Sequence, residues 1–184
     1  IEVERKFRLS DQQKQAIEEK LQSRHRDVVT VRQSDKVFLQ GIDSFAEFKQ
    51  GLPIMRLRTE DDTVTLTYKR CINDTGDTVE HELMIGDADT MQAILDEMDY
   101  RLVTRVGKDR LEVKEGSIVF ALDTVDELGS FLEIEILAEN TDNLSGLERQ
   151  IMETARVYGL TEADIEPKKY DRMIAALRTK NGSQ

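Results

Sequence analysis

The sequence predicts an α+β fold, a closed eight-stranded antiparallel β-barrel with helices packed outside. Three observations carry this. Runs of residues that alternate apolar and charged recur along the chain, separated by turn signals such as Glu60-Asp61-Asp62 and Asn73-Asp74-Thr75-Gly76, which suits strands in hairpin order. Each run has one apolar and one charged face. The helical stretches between them are amphipathic and need an apolar surface, so the apolar faces turn outward beneath the helices and the charged faces line the interior.

The opening strand, Ile1 to Phe7, puts Glu2, Glu4 and Lys6 on one face and Val3 and Phe7 on the other. Ser10 with Gln13 forms a capping box that starts a helix through about Leu21. Val28 to Phe38 is rich in Val and Thr and reads as a strand, and Gly41 to Pro53, with Phe45, Phe48 and Leu52, as a short helix or ordered loop. Beyond Pro53, Ile54, Arg56 and Arg58 share a face opposite Met55 and Leu57. Across the next turn Thr65, Thr67 and Lys69 oppose Val64, Leu66 and Tyr68. A further strand alternates Glu80 and Glu82 with Val79, His81 and Leu83.

Asp87 caps a helix through Met98 whose apolar stripe is Met91, Ile94, Leu95 and Met98. Two long strands follow, Tyr100 to Lys114 and Ser117 to Val125, joined at Glu115-Gly116; Lys108, Arg110 and Glu112 share a face of the first, Val119, Ala121 and Asp123 a face of the second. After Glu127-Leu128-Gly129, Phe131 to Ile136 sets Glu133 and Glu135 against Leu132, Ile134 and Ile136. Helical patterns run from about Asn143 to Tyr158 and from Thr161, and Pro167 opens a last helical segment with Lys168, Lys169 and Tyr170. Residues 1–178 form one domain, and 179–184 read as a frayed tail.

Composition narrows the function classes. A formal net charge of −11 argues against nonspecific binding to nucleic acid or an anionic membrane, which positive surface potential drives. No apolar run reaches membrane-spanning length and the N-terminus lacks signal-peptide character, so the expected location is the cytoplasm. The single cysteine, Cys71, and two histidines, His25 and His81, make an internal disulfide impossible and a zinc site or nucleophilic triad unsupported. Any metal is expected to be a hard one held by oxygen.

The interior therefore gathers Glu2, Glu4, Glu80, Glu82, Asp123, Glu133 and Glu135 with Lys6, Arg56, Arg58, Lys69, Lys108 and Arg110. Charge buried on this scale requires pairing or a ligand. Arginine forks and lysines suit phosphate oxygens, and carboxylates suit a divalent cation that bridges them.

These residues resemble the CYTH superfamily, which comprises class IV adenylate cyclases, thiamine triphosphatases and inorganic triphosphatases. Glu2-Val3-Glu4-Arg5-Lys6 matches its E-x-E-x-K signature, and the likeness continues through Arg56-Leu57-Arg58, Lys69, Glu80-His81-Glu82, Lys108-Asp109-Arg110, Asp123, Glu133-Ile134-Glu135 and Lys168-Lys169-Tyr170. The resemblance implies a triphosphate tunnel, a substrate such as ATP or another triphosphate, and dependence on Mg²⁺ or Mn²⁺. It assigns Glu2, Glu4, Asp123, Glu133 and Glu135 to the metal. Lys6, Arg56, Arg58, Lys69, Lys108 and Arg110 fall to the phosphates, with Lys6, Lys69, Lys108 and Arg110 acting in catalysis and Lys168 closing over the substrate.

The layout is most like the bacterial class IV adenylate cyclase branch, in which the ATP 3′-hydroxyl attacks the α-phosphate and pyrophosphate leaves. Hydrolysing relatives typically carry a tyrosine in the second strand, where this chain has Val37. Lys169 stands where relatives often have serine. Hydrolysis of a triphosphate is the alternative reaction, and noncatalytic binding of nucleotide or polyphosphate a third reading. A homodimer is compatible with the sequence, without an interface in the pattern.

Overall fold

The computed structural model describes residues 2–49, 51–71, 78–137 and 144–181. Alternation and capping produce strand β1 (Glu2–Leu9), helix α1 (Asp11–Arg24), β2 (Val29–Gln40), β3 (Ile54–Glu60), β4 (Thr63–Cys71), β5 (Thr78–Ile85), α2 (Ala88–Glu97), β6 (Tyr100–Glu115), β7 (Ile118–Val125), β8 (Gly129–Leu137), α3 (Leu144–Val157) and α4 (Tyr170–Asn181). The Ser10–Gln13 box and the Asp87 cap start α1 and α2 as the sequence predicts. Residues 41–53 form turns and an ordered loop, not a helix, and the Asn73–Gly76 turn lies outside the described residues.

The strands form one antiparallel sheet in the order β1-β5-β4-β3-β2-β6-β7-β8, with β8 pairing back along β1 from Glu2↔Leu137 to Leu9↔Ser130. The β1/β5 seam is different. Among the described residues only Glu2 and Thr78 pair there. Each is the first residue of its strand, so two antiparallel strands that meet at that point run away from one another. Among the described residues the expected closed barrel is therefore corrected to a curled sheet whose β1/β5 seam is joined at one position.

Most helices cover the outside, as burial of the apolar faces requires. Val3, Phe7, Leu132, Ile134 and Ile136 pack against Ile17 and Leu21 of α1 and Ile151 and Ala155 of α3 in the main core. Helix α2 packs Leu95 over Phe38, Leu57 and Tyr100. The rest of its predicted stripe is less buried than expected, with Ile94 45% and Met98 53% exposed, because the helix reaches the sheet through Leu95 and Met91.

Helix α4 departs from the expectation that all helices pack outside. On β6, β7 and β8 the inward faces change from charged to apolar at one end, where Val106, Val125 and Phe131 stand in line with Lys108, Asp123 and Glu133. Tyr170, Met173 and Ile174 pack onto these three, and the Phe131 and Tyr170 rings meet 5.1 Å apart. The helix thus covers apolar residues on the inner face of the sheet. It begins at Tyr170, after the non-helical residues 167–169, and continues through Asn181, beyond the start of the predicted tail; 182–184 lie outside the described residues. No helix among the described residues is long and apolar enough to cross a membrane.

Candidate active site

The interior holds a cavity of about 430 Å³. Strand alternation delivers to it Glu4 and Lys6 from β1, Arg56 and Arg58 from β3, Lys69 from β4, Glu80 and Glu82 from β5, Lys108 and Arg110 from β6, and Glu133 and Glu135 from β8. All of these were expected to face inward. The side chain of Glu2 lies outside the described residues. Asp123 is brought to the same cluster but lies beneath the cavity wall, with no exposed surface.

Cross-strand register explains how so much charge is tolerated. Asp35 sits opposite Arg58, and its carboxylate accepts two hydrogen bonds from that guanidinium, each 2.8 Å. Asp123 sits opposite Arg110 and accepts 2.7 Å bonds from its Nε and Nη2, while Lys108 Nζ donates to Asp123 at 3.0 Å. Arg110 Nη2 also donates to Glu133 at 2.6 Å. Arg56, Thr67 and Glu82 form a row across three strands, linked by bonds of 2.9–3.1 Å. Lys69 pairs with Glu80, and Lys6 lies 3.8 Å from Glu133. Paired charges of this kind pay much of their desolvation cost through one another.

Glu4 and Glu135 stand directly opposite on β1 and β8, and Lys6 opposite Glu133, so three carboxylates face one another across a single strand boundary. Burial raises the Glu135 carboxyl to about 7, helped by the charges of Glu133 and Glu4 and opposed by Arg110. Burial acts on Glu4 in the same sense, but Lys169, Lys69 and Lys6 outweigh it and hold that carboxyl far below the usual range. Burial lowers the Lys6 and Lys108 ammonium groups despite their acidic neighbours.

Among the described residues no three His, Cys, Asp or Glu side chains are gathered into a ready metal-ligand group. The donor chemistry nevertheless suits Mg²⁺ or Mn²⁺: Glu4, Glu133 and Glu135 lie on the facing strands β1 and β8, and burial, reinforced by the charges of Glu133 and Glu4, raises the Glu135 carboxyl, an effect a divalent cation would oppose. Glu4, Glu133 and Glu135 are the residues that would hold such an ion. Glu4 is engaged by Lys169, so its availability depends on release of that pair.

Sequence reasoning did not single out Asp35, Asp171 or Arg172, noted Tyr170 only within the Lys168-Lys169-Tyr170 motif, and left the role of Lys169 open. Lys168, expected to close over the substrate, is exposed and does not line the cavity; its backbone N–H bonds Glu166. Because α4 starts at Tyr170, Lys169 is the lysine that turns inward. Lys6 lies 4.1 Å and Lys108 5.2 Å from the centre of the Tyr170 ring. No local signal in the sequence brings Tyr170 to these lysines, because Val106, Val125 and Phe131, on which it packs, lie on three separate strands. Val37 lines the cavity.

The CYTH domain model matches residues 1–170, nearly the whole chain. The chain belongs to the CYTH domain family. A Methanocaldococcus jannaschii protein that carries a provisional adenylate cyclase name is 27% identical over 172 residues, covering 92% of this chain and 96% of that one. A Pyrococcus horikoshii OT3 structure superposes with a TM-score of 0.79 at 24% identity, covering 98% and 99% of the two chains. A Hippeastrum protein that carries a provisional adenylyl cyclase name and is said to reveal a dominant triphosphatase activity gives a TM-score of 0.56 at 16% identity, covering 85% and 87%. Both structural likenesses speak to the fold, and the CYTH assignment rests on the family match.

Proposed function

We propose that this CYTH protein is a metal-dependent enzyme acting on a triphosphate, with ATP as substrate and cyclic AMP and pyrophosphate as products. One observation carries the reading: Lys6, Arg56, Arg58, Lys69, Lys108 and Arg110 converge on a single cavity beside the carboxylates of Glu4, Glu133 and Glu135. The guanidinium groups of Arg56, Arg58 and Arg110 offer forks for nonbridging phosphate oxygens, and the lysines offer point charges. Held in place by their carboxylate partners, they need little rearrangement to meet the negative charge that builds on a transferring phosphoryl group and its leaving pyrophosphate. A bound Mg²⁺ or Mn²⁺ would neutralise phosphate charge and polarise the reacting phosphoryl group.

Cyclisation is preferred over hydrolysis because the family resemblance, in which hydrolysing members typically have a tyrosine in the second strand, puts Val37 at that place, and Val37 lines the cavity. The M. jannaschii relative's name points the same way. Hydrolysis remains the second reading, favoured by the activity described for the Hippeastrum protein on the same fold. Purified protein given ATP and, separately, tripolyphosphate with Mn²⁺ or Mg²⁺ separates them. Cyclic AMP with pyrophosphate supports cyclisation; orthophosphate from tripolyphosphate with no cyclic product refutes it in favour of hydrolysis.

A further inference from the structure

Basic side chains lining the cavity have carboxylate partners within 4.0 Å, with one exception. Arg172, in the first turn of α4, lines the cavity, yet among the described residues its guanidinium has neither an ion pair nor a hydrogen bond. The adjacent Asp171 carboxylate accepts from the Arg172 backbone N–H at 2.7 Å, not from its side chain. The guanidinium is instead held by rings. Its central carbon lies 4.7 Å from the centre of Phe48 and 5.9 Å from that of Phe45, and these two rings meet edge-on at 5.9 Å.

An aromatic platform fixes the flat face of a guanidinium and leaves the N–H donors at its edges unsatisfied. Five donors in a fixed plane, beside a cavity and without a carboxylate, match bidentate recognition of an anion. An uncharged organic group would leave most of those donors and the positive charge unanswered. Resting on the triphosphate reading above, we propose that Arg172 is a substrate-binding residue whose guanidinium donates to a phosphoryl group at the α4 side of the cavity, with Phe45 and Phe48 orienting it.

The test is equilibrium titration of the full chain with tripolyphosphate and, separately, ATP, without added divalent cation so that binding is read apart from turnover. Arg172→Ala weakens both ligands at least about tenfold, the loss expected for a charge-assisted contact. Arg172→Lys recovers only a few-fold of this because it lacks the planar fork, and Phe48→Leu weakens both by about threefold while leaving the charge in place. Thermal melts identify any variant that fails to fold, in which case Arg172→Lys and Phe48→Leu carry the test. Binding of both ligands within about twofold of wild type in folded Arg172 variants, with Arg58→Ala impaired, overturns the proposal and leaves the cavity reading standing. Loss confined to ATP overturns the phosphate assignment. Failure of the wild-type chain to bind either ligand both without divalent cation and with Mn²⁺ present overturns the triphosphate reading and this proposal with it.

Discussion

Replacing Asp123 by Asn tests whether this residue serves the cations beneath the cavity wall or a metal within it. Asp123 has no exposed surface and accepts three charge-assisted bonds, two from Arg110 and one from Lys108. Asn is nearly isosteric, but it removes the charge and turns a donor amide toward groups that only donate. Breaking a buried ion pair costs about 3–5 kcal/mol. Arg110 retains Glu133 at 2.6 Å, which places the expected loss near the lower end, about 3 kcal/mol. For a chain of this size that lowers Tm by about 6–12 °C. Calorimetry at neutral pH, with and without Mn²⁺, reads both parts: a large fall in Tm, and a Mn²⁺-induced rise that survives in the variant. A fall below about 2 °C would refute the ion-pair reasoning, and loss of the Mn²⁺ effect in a folded variant would return Asp123 to the metal-ligand set.

Three further outcomes are expected. Lys169→Met frees Glu4 from its ion pair and tightens Mn²⁺ binding about tenfold in the absence of substrate; unchanged or weaker binding by titration contradicts competition at Glu4. Metal-free protein loses up to about 3 kcal/mol of stability between pH 4.5 and about 7, since the folded state keeps the Glu135 proton to about 7 while the unfolded chain releases it near 4.5 and the folded state therefore binds more protons across that window. Denaturant melts at stepped pH follow this, and Glu135→Gln flattens the slope; a slope unchanged in the variant assigns the pH dependence elsewhere. Glu4→Gln and Arg58→Ala each lower turnover at least about a hundredfold, and near-normal rates in both would remove the cavity from the chemistry.

Much of this architecture was legible because strand alternation is local. Glu133-Ile134-Glu135 or Arg56-Leu57-Arg58 declares its two faces without knowledge of any neighbour, and the helices then decide which face turns in. What needed the fold was pairing across sequence distance. Asp35 looked like one polar residue of Ser34-Asp35-Lys36 until its register placed it opposite Arg58, on the far side of a long loop. The inward lysine was misassigned by one position because Pro167 signals a helix start that the backbone delays to Tyr170. The open seam depends on how far β1 and β5 are staggered, and neither strand carries that information alone. Helix α4 reached the inner face because Val106, Val125 and Phe131 end the charged rows there, a change scattered over three strands.

The ion pairs that hold the cavity's cations also make it an ion exchanger. A polyanion entering between Lys6, Arg58 and Arg110 shares their charge and remaining N–H donors with Glu133, Asp35 and Asp123, and the carboxylates of Glu4, Glu133 and Glu135 are then left with less counter-charge. A divalent cation supplies it. Each ligand thus prepares the seat of the other, and linkage requires the gain to be reciprocal: the phosphate chain strengthens metal binding by the same factor as the metal strengthens binding of the phosphate chain. An interior that is already salted with its own charges favours arrival of the two as a neutralised pair over either alone.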